Sequence, residues 1–123
     1  METIIKSKII SGTQRGRKLG FPTANLEIIK LGKLEFGVYI CEVSYENKKY
    51  KGLLHYGQRK TFEGKITAEV LILGFKGNLY GREIEVKIKQ KIRKTRKFNS
   101  EKELILQIRK DIDFLKNNLN TTS

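Results

Sequence analysis

The chain has 123 residues, of which 26 are Lys or Arg and 13 are Asp or Glu, so its formal net charge at pH 7 is +13. No apolar run approaches the roughly 20 residues that span a bilayer, and the first residues lack the apolar core of a secretory signal. We therefore predict one cytoplasmic domain over residues 1–123, with no membrane partner and a core that needs no disulfide.

Short apolar segments with turn residues between them follow one another from the start of the chain. The predicted strands are 4–10, 38–45, 49–56, 66–73 and 84–92. In the last strand Ile84, Val86, Ile88 and Ile92 alternate with charged residues, so we expect the isoleucines and the valine to share one buried face. Cys41, the only cysteine, lies among apolar residues and is predicted to be a small buried hydrophobe. Strands at this spacing favour an antiparallel barrel or sandwich.

The apolar period changes near the carboxyl end. Five residues recur three or four positions apart, as on one stripe of a helix: Leu104, Ile108, Ile112, Leu115 and Leu119. Ser100 and Glu103 have the spacing of a capping box at the start of that helix. We predict a barrel over about residues 3–98 and a helix over about residues 100–118 that packs against it.

The segment 16–25, Gly-Arg-Lys-Leu-Gly-Phe-Pro-Thr-Ala-Asn, carries the strongest functional signal. Its glycines permit a tight turn, and consecutive backbone N–H groups in such a turn form an anion site. The segment also holds two cations and two neutral oxygen side chains of the kind that Mg²⁺ accepts beside a phosphate. We interpret it as a nucleotide-phosphate site, although an ordinary polar turn is the simpler alternative on composition alone.

The whole string resembles the signature of the riboflavin kinase (flavokinase) family, G-R-x-L-G-F-P-T-A-N. Residues 37–39, 57–62, 69–81 and 98–111 are similar to further segments of that family. The resemblance implies a mainly β fold, a six-stranded antiparallel Greek-key barrel with one C-terminal α-helix. It also implies the reaction riboflavin + ATP → FMN + ADP, assisted by Mg²⁺ or a similar divalent cation. We expect the chain to correspond to the kinase module of bifunctional riboflavin kinase/FMN adenylyltransferases, without the adenylyltransferase domain.

The resemblance further implies which residues form the site. The nucleotide and its phosphates would contact Gly16, Arg17, Lys18, Gly20, Pro22, Thr23 and Asn25. Thr23 and Asn25 would also hold the metal. The flavin would contact Phe98, Leu104 and Ile108, and Arg93 would lie at the catalytic centre.

One position departs from the family pattern. Thr95 is placed by this resemblance where the family has a glutamate that accepts the proton of the ribityl 5′-hydroxyl, and threonine cannot act as a base at neutral pH. Glu63 and Glu101 are alternative carboxylates. A general base contributes about 10²–10⁴-fold, whereas positioning dominates phosphoryl transfer. We therefore expect a riboflavin kinase that is weakened at this step.

Two alternatives remain open. The replacement at Thr95 is also compatible with a catalytically inactive homologue that binds flavin or nucleotide without turnover. The high positive charge is compatible with a small basic barrel that binds nucleic acid. Our expectation is a monomer whose partners are riboflavin and ATP, with no nucleic-acid partner.

Overall fold

The computed structural model of the protein describes residues 3–11, 23–58 and 65–117. These ranges contain the strands β1 (Thr3–Ser11), β2 (Thr23–Leu26), β3 (Gly37–Tyr45), β4 (Lys48–Gln58), β5 (Ile66–Ile72) and β6 (Glu83–Arg93), and the helix α1 (Glu101–Asn117). The strands close into a barrel in the order β1-β2-β5-β4-β3-β6, and all paired strands are antiparallel. The predicted six-stranded antiparallel barrel with a C-terminal helix is confirmed.

The inside of the barrel is filled by alternate side chains of all six strands. Among the most buried of them are Ile5, Leu26, Val43, Leu54, Val70 and Val86. Cys41 belongs to this cluster and has no exposed surface, and burial raises the pKa of its thiol because the thiolate would lose its hydration. The prediction that Cys41 is a small buried hydrophobe is therefore confirmed.

The connections use the turn residues that the sequence offers. Glu46 and Asn47 join β3 to β4 with φ values of 49° and 64°, as a tight hairpin turn requires. After β2, a 3₁₀ helix, Ile28–Leu31, buries Leu31 in the barrel core.

Two features of the sheet differ from the sequence-based expectation. The strand β2 was not assigned, because four residues are too few to show a clear alternation. The expectation that Ile92 shares the buried face of Ile84 and Val86 is wrong. Ile92 packs in a second apolar cluster beneath α1, since two register shifts between β3 and β6 change the face that it presents.

Helix α1 lies on the outer face of the barrel. Its residues Ile112 and Leu115 are buried against Ile40, Leu53 and Leu71, which point outward from β3, β4 and β5. The predicted helical stripe is confirmed as far as Leu115, while Leu119 lies outside the described residues. In the described ranges no helix combines the length and the apolar character that a bilayer-spanning segment needs.

The predicted cap at the start of α1 is present in a modified form. The Ser100 Oγ accepts a hydrogen bond from the Glu103 N–H at 3.2 Å, as in a capping box. The Glu103 carboxylate accepts the return bond from the N–H of Asn99, one residue before Ser100, at 3.2 Å. The chain entering the helix is therefore held at two consecutive residues.

Candidate active site

The outer face of β2 carries two polar side chains of the 16–25 segment. Ala24 and Leu26 belong to the core inside the barrel. Because successive side chains of a strand point to opposite faces, Thr23 and Asn25 lie on the outside. The strand thus holds a hydroxyl and a carboxamide at fixed positions on the outer wall.

Strand register extends this polar position into a row across three strands. Asn25 is opposite Glu69 on β5, and Glu69 is opposite His55 on β4. Residues directly opposite each other share a face of the sheet, with Cβ atoms about 4.5–5.5 Å apart. We call Asn25, Glu69 and His55 the outer polar row. It places a carboxylate between a carboxamide and an imidazole.

The series of directly opposite residues continues from the outer polar row towards the start of α1. His55 is opposite Val38 on β3, and Val38 is opposite Arg93 at the end of β6. The Arg93 guanidinium is held by the carboxylate of Asp111, with Nη2 at 2.8 Å from Oδ2 and Nε at 3.1 and 3.2 Å from the two carboxylate oxygens. Arg93, predicted at the catalytic centre, is therefore bound to a helix residue 18 positions later.

Thr95 lies against β4 on the outside of the barrel. A Cβ atom added at Gly57 would come within 2.9 Å of the Thr95 Cγ2, so the methyl group occupies the space that a side chain at Gly57 would need. Gly57 is two residues beyond His55 on the same strand, and residues two apart share a face. The observed role of Thr95 is thus a packing contact.

The residues predicted to contact the flavin lie at the beginning of α1 and just before it. Phe98 is half-buried, with the Arg96 guanidinium 4.6 Å and the Arg93 guanidinium 5.9 Å from its ring centre. Leu104 and Ile108 are half-buried on the helix, and Ile108 packs against the second apolar cluster. Phe98 therefore lies beside Arg93, and Ile108 lies over the outward side chains of β3, β4 and β5.

Part of the predicted site lies outside the described residues. This applies to Gly16, Arg17, Lys18, Gly20 and Pro22, and to Glu63. Thr23 and Asn25 are therefore the described part of the predicted nucleotide and metal site.

A cavity of about 470 Å³ occupies a different part of the barrel. It is lined by residues of the mouth next to the 3₁₀ helix, including Leu31, Glu35, Tyr39 and Lys91. The Tyr39 hydroxyl donates to the Glu35 carbonyl oxygen at 2.5 Å, and burial together with the nearby Glu35 carboxylate raises the pKa of Tyr39. Since this cavity belongs to the inner side of β3, it is separate from the outer polar row.

Oxygen-bearing side chains on the outer face of β2 fit a magnesium ion. Thr23 and Asn25 offer a hydroxyl and a carboxamide, which are hard ligands that Mg²⁺ takes together with substrate phosphates. Within residues 3–11, 23–58 and 65–117, no cluster of three or more His, Cys, Asp and Glu side chains could hold a metal by itself. The donor set thus fits an ion that is shared with a phosphorylated substrate.

Sequence reasoning missed Glu69 and Asp111. Glu69 was quoted as part of a motif, but its place beside Asn25 depends on the pairing of β2 with β5, which no local pattern reveals. Asp111 had a weak signal, since Gln107 precedes it by four residues, the spacing at which helical side chains meet. Its partner Arg93 lies on another element, so the contact could not be predicted.

Comparison with known proteins shows which family matches the chain. The family model described as riboflavin kinase matches residues 1–119. The chain is 38% identical over 112 residues to the RNA-binding riboflavin kinase RibR of Bacillus subtilis, covering 89% of this chain and 48% of that protein. It is 38% identical over 120 residues to the bifunctional riboflavin kinase/FMN adenylyltransferase of Buchnera aphidicola, covering 94% of this chain and 38% of that protein.

A solved structure gives the same fold. The riboflavin kinase of Trypanosoma brucei superposes with a TM-score of 0.65 at 24% identity, over 97% of this chain and 80% of that one. The chain spans less than half the length of the two relatives above. The signature at 16–25, the closed barrel and the family match over 119 residues together show that this chain belongs to the riboflavin kinase family.

Proposed function

We propose that the protein is a riboflavin kinase, which transfers the γ-phosphate of ATP to the 5′-hydroxyl of riboflavin and so forms FMN and ADP. The observation that carries this proposal is the position of Glu69, which lies opposite Asn25 on the outer wall of the barrel. A carboxylate therefore stands beside the end of the predicted phosphate-binding segment, where an acceptor hydroxyl must meet the γ-phosphate.

Glu69 is proposed as the general base in place of Thr95. Its carboxylate would accept the proton of the ribityl 5′-hydroxyl as the hydroxyl oxygen bonds to the γ-phosphorus and the bond from that phosphorus to the bridging oxygen of ADP breaks. The Thr95 side chain has no carboxylate that could accept this proton, and its methyl group lies against Gly57. The replacement at Thr95 then leaves the base in place, and the enzyme need not be weakened at this step.

Nucleotide binding is assigned to β2 and to the segment that precedes it. Thr23 and Asn25 would hold the metal, and the glycines and cations from Gly16 to Gly20 would contact the phosphates, as the signature predicts. A divalent ion bound there supplies neutralisation of phosphate charge. The protein side chains position the reacting groups, and positioning is a large part of catalysis in phosphoryl transfer.

Flavin binding is assigned to the opposite end of the site. Phe98, Leu104 and Ile108 present an aromatic ring and two aliphatic side chains near the line that leads from Asn25 to Arg93. An isoalloxazine ring is flat and aromatic, so an aromatic ring and aliphatic side chains suit its faces. The ribityl chain would then extend along the outer face of β4 towards Glu69.

The proposal is tested by incubating the purified chain with riboflavin and Mg·ATP and separating the products by chromatography. We expect FMN and ADP in equal amounts, and loss of both when EDTA is added. Quenching of riboflavin fluorescence without any FMN would instead identify an inactive flavin-binding homologue and contradict the proposal.

Nucleic-acid binding is the second function to be tested, because the net charge is +13 and one relative is named as RNA-binding. We propose that the charge serves phosphorylated small molecules, and expect no complex with RNA at physiological salt. A complex whose affinity falls steeply as salt is raised would contradict this. The monomeric state and the cytoplasmic location stay predictions.

A further inference from the structure

A buried charge pair joins the end of the barrel to the outer helix. Asp111 is 5% exposed, and its two carboxylate oxygens accept hydrogen bonds from the Nε and Nη2 atoms of Arg93. This two-pronged geometry fixes the plane of the guanidinium as well as its distance. Asp111 therefore holds the Arg93 side chain in one orientation.

A third hydrogen-bond donor to the Asp111 carboxylate comes from the same helix. The Gln107 Nε2 donates to Asp111 Oδ1 at 3.0 Å, one turn earlier on α1. Asp111 therefore accepts bonds from two directions and cannot rotate without breaking one set of them. We call Arg93, Gln107 and Asp111 the helix clamp.

The clamp reaches the segment that connects β6 to α1. The Arg93 Nη1 donates to the Lys94 carbonyl oxygen at 3.4 Å, and the guanidinium lies 5.9 Å from the centre of the Phe98 ring. Arg96 stacks on the same ring at 4.6 Å, and such cation–π contacts favour one ring position. The orientation of Arg93 is therefore coupled to the position of Phe98.

We propose that Asp111 is a positioning residue for riboflavin. It acts through Arg93 and holds the connection 94–100, with the Phe98 ring, in the geometry that accepts the isoalloxazine ring. This inference rests on the proposed function, since it concerns the flavin end of the same site. Asp111 itself touches no substrate in this proposal, because both of its oxygens are occupied by Arg93 and Gln107.

A positioning role of Asp111 predicts a different result from a role in stabilising the fold alone. Loss of the Asp111 charge frees the guanidinium to leave the Phe98 ring, so the flavin end of the site should loosen. The nucleotide end, at Thr23 and Asn25 on β2, is separated from Arg93 along the outer face by the strands β5, β4 and β3. Riboflavin affinity should therefore fall while ATP affinity is kept.

The test compares Asp111→Asn and the conservative Asp111→Glu with the control Asp113→Asn, an exposed acid on the same helix. The readouts are the riboflavin Kd from fluorescence quenching, the KM values for riboflavin and ATP, and the melting temperature. For Asp111→Asn we expect the riboflavin Kd and KM to rise roughly tenfold, with the ATP KM and kcat changed less than about twofold. Asp111→Glu should recover part of the affinity, and Asp113→Asn should match the parent.

A riboflavin Kd that stays at the parent value, with only a lower melting temperature, would overturn the proposal, because Asp111 would then merely support the fold. An equal loss of riboflavin and ATP affinity would overturn it as well. If Asp111→Asn does not fold, Gln107→Leu gives the same comparison with a weaker perturbation, because it removes one hydrogen bond to Asp111 and leaves the ion pair with Arg93 in place.

The Kd measurement also distinguishes this proposal from the proposed function. A parent chain that binds riboflavin but makes no FMN contradicts the kinase activity, and the variants still test the clamp. A parent chain that binds no riboflavin overturns both proposals.

Discussion

The inside of the barrel and the outer face of β2, β5 and β4 are built from the same strands but have opposite compositions. Inward side chains such as Ala24, Leu54 and Val70 form a continuous apolar cluster. Their neighbours Asn25, His55 and Glu69 point outward and form the outer polar row. The buried charged residues of the described ranges, Glu42 and Asp111, lie outside the barrel cluster.

On each of these strands, residues that stabilise the fold alternate with residues that can bind ligand or catalyse the reaction. A residue inside is bound to its place by close packing, and a residue outside is held by the strand while its functional group stays available. Changes inside should therefore alter the free energy of unfolding, and changes outside should alter catalysis or ligand binding. The variants of Glu69 and Leu54 test that separation directly, and those of Gly57 and Ser100 test how the connection before α1 is held.

The largest effect is expected on the outer face, from Glu69→Gln. The amide keeps the shape of the side chain but cannot accept the proton of the ribityl hydroxyl. We expect kcat to fall by about 10²–10⁴-fold, the usual contribution of a general base. Steady-state FMN formation measures the loss, and the melting temperature should stay close to that of the parent.

The matched variant is Thr95→Glu, which places a carboxylate at the position that the family resemblance assigns to the base. If Glu69 is the base, this change adds no activity. A kcat that rises a hundredfold in Thr95→Glu would show that position 95 is the catalytic position. A kcat that persists in Glu69→Gln would show that Glu69 is not the base.

Inside the barrel, Leu54→Ala is expected to act on stability. Leu54 has no exposed surface and packs within the barrel cluster, so its truncation leaves a cavity. The free energy of unfolding should fall by about 2–5 kcal/mol, measured by urea titration. Leu106→Ala on the helix surface, where the side chain is 51% exposed, is the control and should change stability by less than about 0.5 kcal/mol.

Activity of the folded Leu54→Ala protein completes that comparison. At a temperature well below its transition we expect kcat and both KM values of the parent. A selective loss of kcat in the folded variant would break the proposed separation between inside and outside.

A smaller effect is expected from Gly57→Ala, where the outer face is crowded. The new methyl group would meet the Thr95 Cγ2 at 2.9 Å, so the connection before α1 has to shift. Overpacking of this kind costs about 1–3 kcal/mol. Thermal unfolding measures it, and the riboflavin KM should rise with it.

Thr95→Ser provides the rescue for Gly57→Ala, because serine lacks the Cγ2 atom that causes the contact. The double variant should regain most of the lost stability and riboflavin affinity. A double variant as impaired as Gly57→Ala alone would mean that backbone strain at Gly57, and not the contact with Thr95, sets the effect.

The smallest change is expected for Ser100→Ala at the start of α1. It removes the oxygen that accepts the Glu103 N–H, which costs about 1 kcal/mol at a helix N-cap. Urea titration measures the change, and Asn117→Ala at the other end of the helix is the control. A change in the ATP KM would contradict the view that this cap serves the helix and the flavin end alone.

Five of the six strands, the helix and the family could be predicted because their signals are local. Alternation from Ile84 to Val86 indicates a strand, and the spacing from Ile108 to Leu115 indicates a helix, since each period follows from the backbone geometry. The signature 16–25 is likewise continuous in the chain. Thr23 and Asn25 could therefore be selected from the sequence as parts of the candidate site.

The remaining features depend on which strands become neighbours. Glu69 stands beside Asn25 only because β2 pairs with β5, and Ile92 changes face because register shifts accompany the closing of the barrel. Arg93 and Asp111 meet only when α1 packs on the outer wall. The sequence alone thus determined the elements and the family, whereas the proposed base and the helix clamp were decided by contacts between distant segments, which local periodicity does not encode.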